Sequence, residues 1–347
     1  MSRMLSRAET HEIQRARIDQ SQFSALAEPY RHELQAYCYR ILGSVQDAED
    51  LVQETMLRAW NRLDTFQGRA PFRAWLYKIA TNACFDALDK TIRRTLPDKR
   101  QRSSQPQEPI GAAITEPAWL EPCPDDWLGE VIDTAISAEA RYTIRESVTL
   151  AFLTALQVLP PRQRAVVILR DVLDWQASEV APLLDLTVSA VNSALHRARV
   201  TLSKHYHVRD TRRAVDSLND TLTRDLLTRY VRAWEEADVA GLVALLKEDA
   251  TFSMPPSPSW YRGRSDIGWF FTSAVFANGM RSRLQPTRAN GQPAFAGYVY
   301  DKSTQQYQAH ALHLLTFESG QLSNLTTFLD PLLFPRFGLP NTLGMES

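Results

Sequence analysis

No stretch of apolar residues approaches the roughly 18 needed to cross a bilayer, and Glu9 and Glu12 stand where the apolar core of a secretory signal would lie. A cytoplasmic chain is expected. Cysteine is scarce: Cys38, Cys84 and Cys123 are an odd number at wide spacing, with no C-x-x-C pair. That pattern suggests neither a disulfide framework nor a zinc knuckle, and reduced thiols are expected. An excess of either charge is missing too, with 39 Lys and Arg against 40 Asp and Glu. With 44% apolar residues over 347 positions, a disordered tail protein is excluded and two or three domains fit.

The near-neutral balance conceals strong patterning. Gln46 to Glu54 carries Asp47, Glu49, Asp50 and Glu54 and no base. Arg69 to Arg102 holds nine Lys and Arg against three Asp, and Thr115 to Asp133 then holds six acids and no base. An acidic face, a basic stretch and an acidic connector predict several different partners.

Apolar residues at steps of three and four from Phe23 to Ile41 predict one helix, stopped by Gly43. Ser44 with Asp47 resembles a capping box for a second helix, whose apolar stripe runs from Leu51 to Leu63. A third follows Pro71, from Phe72 to Leu88. Residues 20–95 thus read as a helical bundle. The period then fails, and six prolines from Pro97 to Pro124 mark 96–147 as a linker. Helical period returns at Leu150, and Asp174 to Leu202 reads as a helix-turn-helix within 148–207, with Val180, Leu183, Leu184, Leu186, Val188, Val191 and Leu195 as its core. Helices around Tyr230 and Leu242 and a strand at His310 to Phe317 make 218–340 an α+β domain with helices over a curved sheet.

In the helix-turn-helix, Ser189, Asn192, Ser193 and His196 would read bases or backbone, and Arg197 and Arg199 would hold phosphates. The run Arg93, Arg94, Lys99, Arg100, Arg102 would attract a phosphate backbone, with Phe72, Tyr77 and Phe85 as stacking platforms; its plain alternative is a solvated face. Trp60 and Trp75 sit on apolar faces and read as core. The acids around Asp47 read as a protein-docking surface rather than a metal site.

Three segments carry a resemblance that periodicity cannot supply. "DAEDLVQETMLRAW" (Asp47 to Trp60), "FRAWLYKIATNACFDAL" (Phe72 to Leu88) and the run from Leu159 to Arg199 resemble regions 2 and 4 of sigma-70 family RNA polymerase sigma factors, extracytoplasmic-function group. "AWEEADVAGLVALLKEDATFSMPP", "WYRGR" and "RANGQPAF" resemble the SnoaL-like, NTF2-like extension carried by the SigG type of that group. The resemblance implies that Asp47, Asp50, Leu51, Gln53 and Glu54 dock on the polymerase β′ coiled coil, within a core whose partners are β′ and β. It implies that the loop at Arg69 and the helix bearing Arg73, Lys78 and Asn82, with Arg93 and Arg94, open the −10 element and hold a flipped base. The helix from Ser189 to Arg199 would read the −35 element. No bond is made or broken, and neither cofactor nor metal is implied.

Three points depart from the group. Pro182 falls inside the scaffold helix, predicting a late start at a Ser178 cap or a bend. Asp185 stands where the group often has Gly, in a turn that needs a left-handed residue. The acidic "WLEPCPDDWL" (Trp119 to Leu128) predicts either a nucleic-acid mimic in the polymerase RNA path or a disordered tether. The C-terminal domain is expected to regulate, binding an anti-sigma factor or a small ligand in a pocket of Phe252, Met254, Trp260, Tyr261, Arg288, Asn290, His310 and Phe328. The rival readings are a cyclase-like enzyme using His310, His313 and Asp330, or a polymerase-independent DNA-binding regulator. Strand parity argues against the enzyme, because His310 and His313 face opposite sides of a regular strand.

Overall fold

The computed structural model describes residues 19–90, 93–114, 119–128, 149–205 and 221–344. The linker positions 115–118 and 129–147 and the expected domain junction at 207–218 lie outside the described residues. The chain forms two compact units, Met1–Arg94 with Asp126–His207, and Thr95–Asp125 with Val208–Ser347.

In the helical unit, Pro29 divides the expected first helix, because proline removes a backbone donor. It becomes α1 (Gln20–Ala27), a 3-10 turn (Glu28–Tyr30) and α2 (Arg31–Leu42). Gly43 ends α2 at φ 72° as expected, and Ser44 Oγ accepts from the Asp47 amide at 3.0 Å to start α3 (Val45–Asn61). Helix α4 (Phe72–Leu88) packs against both, with the Tyr37 hydroxyl 2.8 Å from Thr81 Oγ1 in the core.

The second half of this unit is α5 (Leu150–Leu156), α6 (Pro161–Val167) extended by a π turn to Val172, α7 (Ala177–Leu183) and α8 (Val188–His205). Helix α7 starts at Ala177, not at a Ser178 cap, because the Gln176 amide is met by Glu179 Oε2 at 2.8 Å. Asp185 adopts φ 55°, the left-handed residue the turn requires. Val188, expected in the core, is 45% exposed at the first turn of α8. Arg164 of α6 is 3% exposed and donates to the Ile41 carbonyl and to Gln157 Oε1. It thereby satisfies a carbonyl of the last turn of α2 and joins the two halves. Burial, with Arg93 nearby, lowers its pKa to about 10.

In the second unit, α9 (Thr221–Glu235), α10 (Val239–Leu245) and α11 (Arg264–Phe270) cover a seven-stranded sheet. Its strands are β1 (Leu246–Ser253), β2 (Trp260–Arg262), β3 (Ser282–Ala289), β4 (Gln292–Asp301), β5 (Gln306–Glu318), β6 (Gln321–Phe328) and β7 (Thr342–Leu343). The order is β2-β1-β6-β5-β4-β3 with β7 on β5, and β1 runs parallel to β6. Tyr230, Trp234, Phe252, Phe270, Phe271 and Phe295 build the core between helices and sheet. Asn290 and Gly291, both at positive φ, close the β3–β4 hairpin in two residues.

The first half of the expected linker belongs to this second unit. Trp119, Leu120 and Cys123 are buried, Trp119 Nε1 donates to the Pro256 carbonyl at 3.0 Å, and Arg100 lies 5.4 Å from the Trp119 ring. The tether is therefore not disordered between residues 119 and 125, where it packs on the α+β domain.

Candidate functional site

Helix α3 presents two kinds of acid. Asp50 and Gln53 are exposed, Leu51 and Glu54 half-buried, and Glu54 pairs with Arg58 at 2.7 Å. Asp47 instead accepts from Arg94 at 2.6 Å. Arg94, expected on DNA, is 5% exposed, so this pair fastens the chain leaving α4 onto α3. Leu57, which the sequence reading passed over, is 60% exposed, one turn from Gln53 and two from Asp50 on the same face. The available signal was a leucine that falls off the apolar stripe of the helix, onto the face that carries Asp50 and Gln53.

The basic residues expected at the −10 element also divide. Arg69, Asn82 and Arg93 are exposed. Arg73 grips Glu33 through Nε at 2.9 Å and a terminal nitrogen at 2.8 Å, with its guanidinium 5.2 Å from the Trp175 ring. Lys78 donates to Asp185 Oδ1 at 2.7 Å and to the Pro182 carbonyl at 3.1 Å. Phe72 and Tyr77 are buried and offer no stacking face; Tyr77 packs 4.9 Å from Trp175. The helix-turn-helix half thus covers this part of α4.

On α8, Val188, Ser189, Asn192, Ser193, His196 and Arg197 line one open groove. The spacing of three and four keeps them on a single face, and no acid among the described residues joins them. Arg199 is not among them. It reaches back to Asp171 at 2.6 and 3.0 Å, which raises its pKa through that hydrogen bond and charge and makes it a staple between α8 and the π turn.

In the C-terminal unit a cavity of about 250 Å³ opens between sheet and helices. Phe252, Met254 and His310 line it. Trp260, Tyr261, Arg288, Asn290 and Phe328 do not. Tyr261 stacks in the core on Phe270 at 4.5 Å, and Phe328 is buried in β6 opposite Leu312. The other three hold the linker: Trp260 Nε1 donates to the Gln101 carbonyl at 2.9 Å, and Arg288 binds Asp125 at 2.8 Å. Asn290 exchanges two 2.9 Å hydrogen bonds with the Cys123 backbone.

His313 lines the same cavity as His310, contrary to the parity argument. The register of β4 with β5 steps from Gly297–Ala311 to Tyr298–Ala309, so His310 is the extra residue of a bulge. One inserted residue restores both imidazoles to one face. His313 is 2% exposed, and Nδ1 lies 2.7 Å from the Tyr230 hydroxyl. Desolvation, then the neighbouring His310, push its pKa down to about 3, so the ring is neutral. Asp330, the expected acid, caps the following 3-10 helix by accepting from Leu332 N at 3.0 Å, away from the cavity.

Comparison with known proteins follows these parts of the chain. The models for Sigma-70 region 2, Sigma-70 region 4 and a SnoaL-like domain match residues 26–94, 149–202 and 227–325. The chain is 43% identical over 325 residues to the ECF RNA polymerase sigma factor SigG of Mycobacterium tuberculosis, covering 92% of this chain and 85% of that protein. SigJ of the same organism is 27% identical over 326 residues, covering 90% and 92%. The crystal structure of SigJ shares the fold, with a TM-score of 0.55 at 21% identity over 93% of this chain and all of that one. The helical halves are sigma regions 2 and 4, the α+β domain is SnoaL-like, and the chain belongs to the extracytoplasmic-function RNA polymerase sigma factors.

Proposed function

We propose that this sigma factor meets core polymerase in the cytoplasm through the exposed face of α3, with Asp50, Leu51, Gln53, Glu54 and Leu57 on the β′ coiled coil and region 4 near the β subunit. Arg69, Asn82 and Arg93, all exposed, then face the −10 element. Lys78 joins them once region 4 leaves α4, and Arg73 once it also exchanges Glu33 of α2 for a phosphate. The α8 groove reads the −35 element, with Ser189, Asn192, Ser193 and His196 toward base edges and Arg197 on a phosphate. The mechanism is recognition followed by strand separation: phosphate contacts and a base pocket offset an unstacking cost of a few kcal/mol.

The observation that carries this reading is the acid-free, fully displayed α8 face from Val188 to Arg197. The helix packs through the opposite face, where Val191, Leu195 and Ala198 are buried, and an ordinary solvent face would mix acids with its bases. Permanganate footprinting with core polymerase and the full chain tests it. Reactive thymines at −10 are expected on promoters from the source genome, and a duplex that stays closed on all of them would overturn the reading.

The C-terminal unit is read as regulatory rather than catalytic. A cyclase-like acid–base pair needs a carboxyl group at the cavity, and Asp330 is engaged as a helix cap elsewhere. His313 is neutral with one nitrogen committed to Tyr230, which suits holding a ligand better than moving protons.

A further inference from the structure

One wall of the C-terminal cavity comes from neither the sheet nor its helices. Ile110, on the segment that connects region 2 to region 4, stands at its mouth with 51% of its surface still in water. The segment is stitched down on both sides of it. The amides of Ser104, Gly111 and Ile114 donate to the Trp260 carbonyl, Ser259 Oγ and the Pro256 carbonyl at 2.7, 2.8 and 3.0 Å. Gly111 lies so close that a Cβ there would sit 2.7 Å from Pro258 Cγ.

Inside, Phe252, Met254, Phe270, Val275, Met280 and Leu329 supply apolar walls, and among the described residues no Lys, Arg, Asp or Glu lines the space. An ion placed here would lose its hydration without a countercharge. Thr327 is 4% exposed, lines the cavity and has a hydroxyl with no hydrogen-bond partner among the described residues. It lies directly opposite His313 across β5 and β6, which puts both side chains on one face. Tyr230 is fully buried and burial raises its pKa well above the ordinary value, so it keeps its proton, and we assign its O–H as the donor to His313 Nδ1. His313 Nε2–H is then a donor above Gly297, where a Cβ would approach it to 2.9 Å.

We infer that the cavity binds a small, uncharged, mostly apolar molecule bearing one hydroxyl or carbonyl, anchored by Thr327 and His313, with Ile110 closing over it as a lid. The half of Ile110 left in water gains an apolar partner only when the cavity is filled. A ligand that prefers the docked segment must tighten that docking by the same factor. Ligand occupancy therefore governs how firmly the connection between regions 2 and 4 is held to the C-terminal unit. The effect on transcription rests on the sigma-factor reading; binding and lid closure do not.

The test uses the full chain without polymerase or DNA, and three probes of one shape: 2-naphthol, naphthalene and 2-naphthalenesulfonate. Calorimetry is expected to show 2-naphthol binding, with the sulfonate at least about tenfold weaker because its charge has no countercharge here. Thr327→Val is expected to weaken 2-naphthol roughly threefold to tenfold and leave naphthalene unchanged, which also shows that the variant is folded. Hydrogen exchange at the amides of residues 104, 111 and 114 should slow with 2-naphthol, and Ile110→Ser should abolish that slowing. No 2-naphthol binding at millimolar concentration, equal binding of the sulfonate, equal weakening of both uncharged probes by T327V, or exchange indifferent to ligand would each overturn the proposal. Failure to open promoters would count against the sigma-factor mechanism and leave these results standing.

Discussion

Lys78 Nζ and Asp185 Oδ1 lie 2.7 Å apart, joining a region 2 helix to the turn of the region 4 helix-turn-helix. The same turn also supplies the Pro182 carbonyl to Lys78. A lysine expected to meet promoter DNA is therefore occupied by the motif expected to meet the −35 element. With Asp185 side chain 71% exposed, the pair contributes at most about 1 kcal/mol.

Asp185→Gly should loosen the hold on Lys78, leaving only the Pro182 carbonyl, without harming the fold. Glycine accepts the φ of 55° that Asp185 adopts, so the turn survives while the carboxylate is lost. The melting temperature is expected to stay within a degree or two. Permanganate reactivity at −10 should rise, by roughly twofold to fivefold if release of region 4 limits opening, which is the range that about 0.5–1 kcal/mol allows. Reactivity unchanged or reduced would show that the clasp is not what holds α4 closed.

The helix boundaries around Gly43 and Ser44 and the helix-turn-helix were legible because each depends on neighbours within four residues: a left-handed stop, a side-chain cap, a 3.6-residue stripe. The docked linker was not. Its prolines broke every period, and its bonds run to the loop at Pro256–Trp260 and to the hairpin tip at Asn290, more than a hundred residues away. Trp260, Arg288 and Asn290 were picked out as ligand contacts because they are large or polar in a SnoaL-like context, and their partner proved to be the chain itself. His310 and His313 were separated by a parity rule that holds only for a regular strand, and a bulge leaves no periodic trace.

Arg197 and Arg199 should separate cleanly. Arg197 faces the open groove, whereas Arg199 is bidentate on Asp171. Measuring holoenzyme binding to −35 DNA against salt, Arg197→Ala should reduce the slope of log K against log salt by about 0.9, the loss of one phosphate contact. Arg199→Ala should leave the slope alone and cost at most about 1 kcal/mol of stability. A slope change in R199A would mean that the Asp171 pair opens on DNA.

The C-terminal unit should weaken in acid. Native His313 takes up a proton only near pH 3, whereas in the unfolded chain it does so near its ordinary 6.5. Between those values the unfolded state binds the extra proton, so the contribution is complete above about pH 6.5 and is lost as pH falls toward 3. At pH 5 the loss is roughly 2 kcal/mol, from 1.5 units at about 1.4 kcal/mol each. Urea unfolding followed by tryptophan fluorescence, compared with a Trp234→Phe variant to isolate the ring 4.6 Å from His313, would read it. His313→Gln should flatten this part of the pH dependence; an unaltered dependence would assign it to other groups.

The five residues expected to dock on polymerase should fall into two classes. Asp50 and Gln53 are exposed with Leu57 beside them, so Asp50→Ala with Gln53→Ala should weaken core binding several-fold and leave the melting temperature unchanged. Asp47 faces Arg94, whose side chain is 5% exposed, so Asp47→Asn withdraws a countercharge from a buried guanidinium. A fully buried pair broken this way costs about 3–5 kcal/mol, and Asp47 is one-third exposed, so about 1–2 kcal/mol is expected. D47N should therefore melt earlier and lose core binding only in proportion to its unfolded fraction. Core affinity measured well below the melting transition distinguishes the roles: a D47N protein that stays folded and yet binds as poorly as the Asp50–Gln53 double variant would return Asp47 to the docking face.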